Sequence, residues 1–180
     1  MSALEPLESL YESDSAGAVD LSAPALLREL YGPLRFSSRV DRPHVISNFV
    51  ISLDGVTSLG ITGQAGGGPI SGNNEHDRLV MGILRAVCDA VIIGAGTLRA
   101  VPHHVWTPEY IYPPFANPYA ALRTSIGKAG PPLNVIVTSG GDIDLELPVF
   151  KSAGVEVLIV TTEPGARRSD RSCATAVGCR

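Results

Sequence analysis

The stretch Ala90-Val91-Ile92-Ile93-Gly94-Ala95-Gly96-Thr97-Leu98-Arg99 decides how the chain is interpreted. Its first four residues are apolar, mostly β-branched and too few for an ordinary helix, so they predict a strand buried on both faces. Gly94 and Gly96 then leave backbone bare for the approach of a ligand phosphate. Arg99 stands where G-x-G-x-x-G needs its third glycine, which disfavours a standard dinucleotide loop. A phosphate site and an ordinary glycine turn therefore both remain open.

Other apolar runs predict further strands on either side of this stretch, at residues 44–51, 133–138 and 155–162. The first run predicts a central strand leading into Ser52 and Asp54, and the second ends at Ser139. Open parallel sheets bind ligands at the carboxyl ends of their strands, which makes these polar residues candidate site residues. In the simpler interpretation, Asp54 only bonds nearby backbone to hold an Asp-Gly turn.

The sequence between the predicted strand at residues 44–51 and the strand that begins at Ala90 predicts a glycine-rich loop followed by a helix. The loop, residues 60–72, is either a flap over a site or a connector. The helix, residues 74–87, is predicted from the spacing of its apolar side chains, with Asn73 or Asn74 as the cap. On this pattern His76 packs among the apolar side chains, whereas Arg85 lies on the opposite, solvated face.

A segment rich in proline and aromatic residues, 102–118, follows the opening stretch. We expect it to pack on its own domain or on a subunit partner, with one ring available to stack on a planar ligand. His103 and His104 are adjacent but lack carboxylate or cysteine partners at ligand spacing. No metal site is therefore predicted.

Composition excludes several classes of function. The chain has 180 residues, 44% of them hydrophobic, which predicts one hydrophobic core. Its formal net charge of −4 gives no basic surface of the kind that binds nucleic acid or an anionic membrane. Its three cysteines have no metal-ligand spacing, and a reducing cytoplasm suits them best. The expected partners are small molecules and further copies of the chain.

The chain divides into three predicted parts. Residues 1–41 form an extension with one helix, which begins near Ser22 and ends near Gly32. Residues 42–162 form an α/β nucleotide-binding domain with a mainly parallel sheet and flanking helices. Residues 163–180 are polar and rich in arginine, and predict a disordered tail.

The order of these motifs resembles the reductase domain of the riboflavin-biosynthesis deaminase-reductase family, which has a dihydrofolate-reductase-like fold. The matching segments are Ser52-Leu53-Asp54-Gly55, Gly68-Pro69-Ile70-Ser71-Gly72, Leu84-Arg85-Ala86, residues 89–100 and Val137-Thr138-Ser139. Their joint order over residues 42–162 is much more specific than any one of them.

The resemblance implies reduction of a ribosylamino-pyrimidine 5′-phosphate to its ribitylamino form, with NADPH as the hydride donor. It places Gly94, Gly96, Thr97 and Ser139 near the NADPH, Asp54 beside the reacting groups, and Ser52 and Arg85 toward the substrate. Arg99, just beyond the glycine turn, is a candidate partner for the extra phosphate of NADPH.

The chain also departs from the family pattern. Val56 replaces a frequent basic residue, and Val101-Pro102-His103-His104 replace frequent acidic ones. The acidic-glycine motif and the closing C-terminal strands of the family have no counterpart. These departures predict slow hydride transfer and an unpaired sheet edge that favours a homodimer. The alternative function is a catalytically impaired nucleotide-binding or dimer-forming relative.

Overall fold

The computed structural model describes residues 4–11, 18–37, 41–61 and 66–173. In chain order the elements are β1 (Ala18–Asp20), α1 (Ala25–Tyr31), β2 (Arg35–Ser37), α2 (Gly68–Ser71), α3 (Glu75–Val87), β3 (Ala90–Gly94), α4 (Ala95–Ala100), α5 (Pro108–Ile111), a 3-10 turn (Pro113–Phe115), α6 (Ala116–Ser125), β4 (Leu133–Thr138), α7 (Pro148–Lys151), β5 (Val157–Thr161) and α8 (Glu163–Cys173).

Three of the predicted strands form a parallel sheet. Its order is β3-β4-β5, and Ile92, Val135 and Leu158 are register partners across it. Strands β1 and β2 form a separate antiparallel pair near the amino terminus. The predicted α/β class with a parallel sheet and flanking helices is confirmed.

One face of the sheet carries a buried core. Ile93 and Ile136 pack there with Leu98, Trp106 and Val149, so that α4, α7 and the segment before α5 cover this face. Asn134 lies on the same face, fully buried, and its side-chain oxygen accepts from the backbone N–H of Trp106 at 3.2 Å. The predicted packing of residues 102–118 on their own domain is confirmed at Trp106 and Tyr112, which are buried.

A second core joins α1, α3 and α6. Helix α3 begins as predicted, because the Asn74 side chain accepts from the backbone N–H of His76 at 2.9 Å and of Asp77 at 3.2 Å. At its other end, buried Arg123 donates to the carbonyls of Ala86 and Cys88 at 2.9 and 2.8 Å. The guanidinium thereby satisfies carbonyls at the end of the helix and fixes α6 to α3.

The predicted central strand over residues 44–51 is wrong. These residues have no regular secondary structure, and large apolar side chains are exposed there, Val45 by 81% and Phe49 by 78%. A β-branched run shows a local preference for extended backbone, whereas a strand also needs a partner at long range. No strand of the described residues pairs with this run.

The prediction that β3 is buried on both faces is also wrong. Ile92 is 72% exposed, and Val137, Leu158 and Val160 are each more than 40% exposed on the same side of the sheet. We call this side the open face, and the side that carries Ile136 the closed face. Parallel sheets are normally covered on both faces, so the open face is an unusual apolar surface.

The predicted disordered tail is corrected over Glu163–Cys173, which form α8. Its first turn is capped by Thr162, whose side-chain oxygen accepts from the Gly165 N–H at 3.2 Å. An ion pair between Arg167 and Glu163, four residues apart, adds to the helix. The remainder of the predicted tail, residues 174–180, lies outside the described residues.

The structure also corrects two smaller predictions. Pro24, and not Ser22, is the residue before α1, and Gly32 follows the helix at its carboxyl end, as expected. His76 is only partly buried, and its ring Nε2 lies 2.8 Å from the carbonyl oxygen of Glu5, so it is bonded but not a core residue. Within the described part of the chain, none of the helices has the length and apolar character needed to cross a membrane.

Candidate functional site at the carboxyl edge of the sheet

The carboxyl edge of the sheet brings together most of the predicted cofactor residues. Gly94, Val137 and Val160 are register partners in the last rows of the three strands. Beyond them lie the start of α4, the Ser139-Gly140-Gly141 loop and the start of α8. Because adjacent strands lie about 4.8 Å apart, these three connections form one continuous rim.

Gly94 and Gly96 leave open space at this rim. A Cβ atom built on Gly94 or on Gly96 would meet nothing within 4 Å, and both residues are exposed. Helix α4 is nevertheless held firmly, because Ala95 and Leu98 are buried in the core below. The first turn of α4 has no side-chain cap, so bare backbone faces open space on a fixed support.

Thr97 and Arg99 lie on the same short helix, α4, and both are exposed. Ser139 follows β4 and is also exposed, while its carbonyl accepts a hydrogen bond from the Thr162 hydroxyl at 2.8 Å. These hydroxyl and guanidinium groups suit ribose and phosphate oxygens. The structure therefore places all five predicted cofactor residues at or next to the carboxyl rim.

Other glycines at this edge pack against backbone instead. A Cβ on Gly141, whose φ is +67°, would collide with the backbone of Gly165, and one on Gly165 would collide with the Thr161 side chain. The Thr161 Oγ1 is buried without a hydrogen-bond partner in the described structure. The loop after β4 is thus closed onto α8, while the turn after β3 stays open.

The predicted catalytic turn is exposed. The Ser52 hydroxyl donates to the Asp54 carboxylate, and the Val56 N–H donates to the Ser52 oxygen at 3.0 Å. The hydrogen bond from Ser52, followed by those from backbone N–H groups, lowers the pKa of Asp54. Asp54 is therefore a carboxylate at neutral pH, suited to accept hydrogen bonds and not to donate a proton.

Arg85 lies elsewhere, and its predicted solvated position is wrong. It is buried, and it donates to the Thr107 carbonyl at 3.3 Å and lies 3.1 Å from the His104 ring nitrogen. Among the described residues, no carboxylate lies within 4.0 Å of it. Burial lowers the pKa of Arg85 to about 10, so it stays charged at neutral pH.

His104 is the neutral partner of this buried cation. Burial, and then the charge of Arg85, lower the pKa of His104 to about 4. Its ring also packs against Trp106 and Tyr110, with centroids 5.0 and 4.6 Å away. Sequence reasoning missed this cluster because its members come from helix α3 and from a segment about twenty residues later.

A shallow cleft of about 230 Å³ opens near this cluster. Its lining residues are Val105, Thr107, Glu109, Tyr110, Ser152, Ala153 and Val155. Val155 precedes β5, so the cleft lies toward the amino end of the sheet, away from the carboxyl rim. Ser52 and Asp54 are hydrogen-bonded to each other, but no described hydrogen bond or ion pair joins either of them to Arg85, so these three predicted site residues are not brought together as one group.

Comparison with known proteins identifies one family. No curated protein and no solved structure matches the chain. The sequence model of one family, described as the RibD C-terminal domain, matches residues 43–177. That range contains the sheet, its carboxyl rim and α8. The chain therefore belongs to the RibD C-terminal domain family of reductase-like oxidoreductases of the riboflavin pathway.

Proposed function

We propose that this chain binds NADPH along the carboxyl rim and reduces a ribosylamino-pyrimidine 5′-phosphate to its ribitylamino form. Family membership supports the reaction class, since the family is generally NADPH-dependent. The observation that carries the proposal is the open, bare backbone at Gly94 and Gly96 on a buried support. Glycine at such a position allows a phosphate to approach the main chain.

The rim residues supply position and charge. Backbone at Gly94 and Gly96 would contact cofactor phosphate, while the hydroxyls of Thr97 and Ser139 would bond ribose or phosphate oxygens. Arg99 would pair with the extra phosphate that distinguishes NADPH from NADH. When bound, NADPH supplies the hydride that reduces the sugar carbon attached to nitrogen. The chain's contribution is to hold that carbon in contact with the donor.

The substrate residues have separate roles in this proposal. Asp54, ionised and oriented by Ser52, would accept hydrogen bonds from substrate hydroxyl or amino groups. Because its pKa is lowered, the proton that completes the reduction would come from water or substrate and not from Asp54. Arg85 would bind the substrate phosphate only if the segment around His104 and Thr107 moves, because the Arg85 guanidinium is in contact with the His104 ring and with the Thr107 carbonyl.

The experiment is a turnover assay with NADPH deuterated at the transferred position. Incubation with the ribosylamino-pyrimidine phosphate should move deuterium to the reduced sugar carbon of the product, detected by mass spectrometry. Unlabelled product, or no product although both ligands bind, would contradict the reductase proposal.

A second candidate is a nucleotide-binding relative with impaired catalysis. The exposed Ser52-Asp54 turn favours it, because this turn and Arg85 share no described contact. This candidate predicts saturable NADPH binding without deuterium transfer. Binding and labelling together would eliminate it.

We also propose that two copies pair as a homodimer beside β3. That strand pairs only with β4 in the described sheet, so its other edge is free and its Ile92 side chain is exposed. A free apolar edge favours association with another chain. A cytoplasmic location, predicted from the cysteines, remains part of the same proposal, with Cys88 a free thiol.

A further inference from the structure

Three arginines lie on the helices that begin at the carboxyl rim. Arg99 is on α4, and Arg167 and Arg168 are on α8. All three are exposed. Arg167 and Arg168 lie in the stretch that was predicted from the sequence to be a disordered tail, so neither was predicted to bind a ligand.

Helix α8 is fixed to the loop that follows β4. The Thr162 hydroxyl donates to the Ser139 carbonyl at 2.8 Å, and the Ser169 hydroxyl donates to the Gly141 carbonyl at 2.9 Å. The backbones of Gly141 and Gly165 also meet without room for a Cβ atom on Gly141. These contacts span two turns of α8 and set its orientation over the rim.

This docking places Arg168 above Gly140. The Arg168 Nη1 lies 3.8 Å from the position of a Cβ atom built on Gly140, in the middle of the loop after β4. The open glycines after β3 are one strand away, about 4.8 Å across the sheet. A ligand phosphate on Gly94 and Gly96 would therefore bring a neighbouring ribose within reach of this guanidinium.

The two arginines of α8 differ in their partners. Arg167 forms an ion pair with Glu163. Arg168, by contrast, has no ion pair with any described carboxylate. An arginine on a docked helix, with no ion pair to a described carboxylate, is suited to bind a phosphate through paired N–H donors.

We propose that Arg168 binds the phosphate on the adenosine ribose of NADPH and, with Arg99, makes the chain prefer NADPH to NADH. This inference rests on the proposed function, because it assumes that the cofactor lies on the carboxyl rim. It adds a specificity residue from α8 to the site predicted from the sequence.

The test is a fluorescence titration of Arg168→Ala and of wild type with NADPH, NADH and adenosine 2′,5′-bisphosphate. Arg168→Ala should weaken NADPH and the bisphosphate about tenfold, which is what loss of one charge-assisted contact produces, and leave NADH unchanged. Arg167→Ala is the matched control, since it removes the neighbouring charge, and it should leave all three affinities near those of wild type. Arg168→Lys should lie between Arg168→Ala and wild type.

The outcomes separate the two proposals. Equal weakening of NADPH and NADH would show that Arg168 touches the shared pyrophosphate or the fold, and would overturn the specificity claim. Unchanged affinities would do the same while leaving the proposed function intact. Failure of the wild-type chain to bind either cofactor would instead overturn the proposed function, and this inference with it.

Discussion

The two faces of the sheet carry the same kinds of side chain but end in different environments. On the closed face Ile136 is fully buried, and on the open face its chain neighbour Val137 is 44% exposed. Both are β-branched residues of β4, and a period of two directs them to opposite sides. The alternation along a strand therefore identifies which residues share a face, but the elements packed nearby decide whether that face is buried.

The largest effect on the free energy of unfolding is expected on the closed face, at Ile136, and its neighbour Val137 on the open face provides the comparison. Ile136→Ala should lower the free energy of unfolding by about 2–5 kcal/mol, because it leaves a cavity in the closed-face core. Val137→Ala, the matched control, should cost less than about 1 kcal/mol, since its side chain is already in contact with water. Chemical denaturation measures both. Equal losses would mean that the two faces are equally covered in solution.

The closed face should also show a pH dependence through His104, whose ring packs on Trp106. The folded chain keeps His104 neutral down to about pH 4, whereas an unfolded histidine takes up a proton near pH 6.5. The unfolded state therefore binds more protons between these values. Stability should fall as pH drops from about 6.5 to about 4, by at most about 3 kcal/mol.

The groups that face His104 include Arg85 and Tyr110, of which Arg85 stays charged across this range. His104→Gln should remove this part of the pH dependence, measured as the unfolding free energy at several pH values. His103→Gln, at an exposed neighbouring position, is the control and should leave the slope unchanged. An unaltered slope in His104→Gln would refute the assignment to His104.

The smallest effect on the stability of a single chain is expected on the open face. Ile92→Glu should change the unfolding free energy by about 0.5 kcal/mol or less, because the side chain is already exposed. It should, however, convert the proposed homodimer to monomer by placing a charge on the open face beside the free edge of β3. Asn117→Glu, exposed on α6, adds the same charge away from the sheet. Light scattering that finds the same mass for both variants and wild type would refute pairing beside β3.

The sequence predicted the sheet well where local pattern and tertiary partners agree. Strands β3, β4 and β5 were predicted from short apolar runs, helix α3 from the periodicity of its apolar side chains, and the cap at Asn74 from its chemistry. The five predicted cofactor residues came from the family resemblance and from Arg99's place beside the glycine turn, and the structure places them after strands that the sequence also predicted. For such elements, the positions along the chain already determine which residues meet at one edge of the sheet.

The remainder depended on contacts between distant residues. Periodicity placed Arg85 on a solvated face because arginine is usually exposed, but residues 104–107 cover it. Residues 44–51 have strand propensity without a described strand partner. Helix α8 was missed because Gly165 and two serines weaken helix propensity, while its docking on Gly141 is visible only in three dimensions.

The central claim, that the bare backbone at the carboxyl rim receives a cofactor phosphate, is tested most directly with Gly96→Val. A Cβ atom built at this position meets nothing within 4 Å beyond its chain neighbours and its own helix backbone, and valine suits a helix better than glycine, so the fold should be unaffected. Thermal unfolding should match wild type, while a bound phosphate would be obstructed and NADPH affinity should fall at least about tenfold. Unchanged NADPH affinity in a variant with wild-type unfolding would contradict the account.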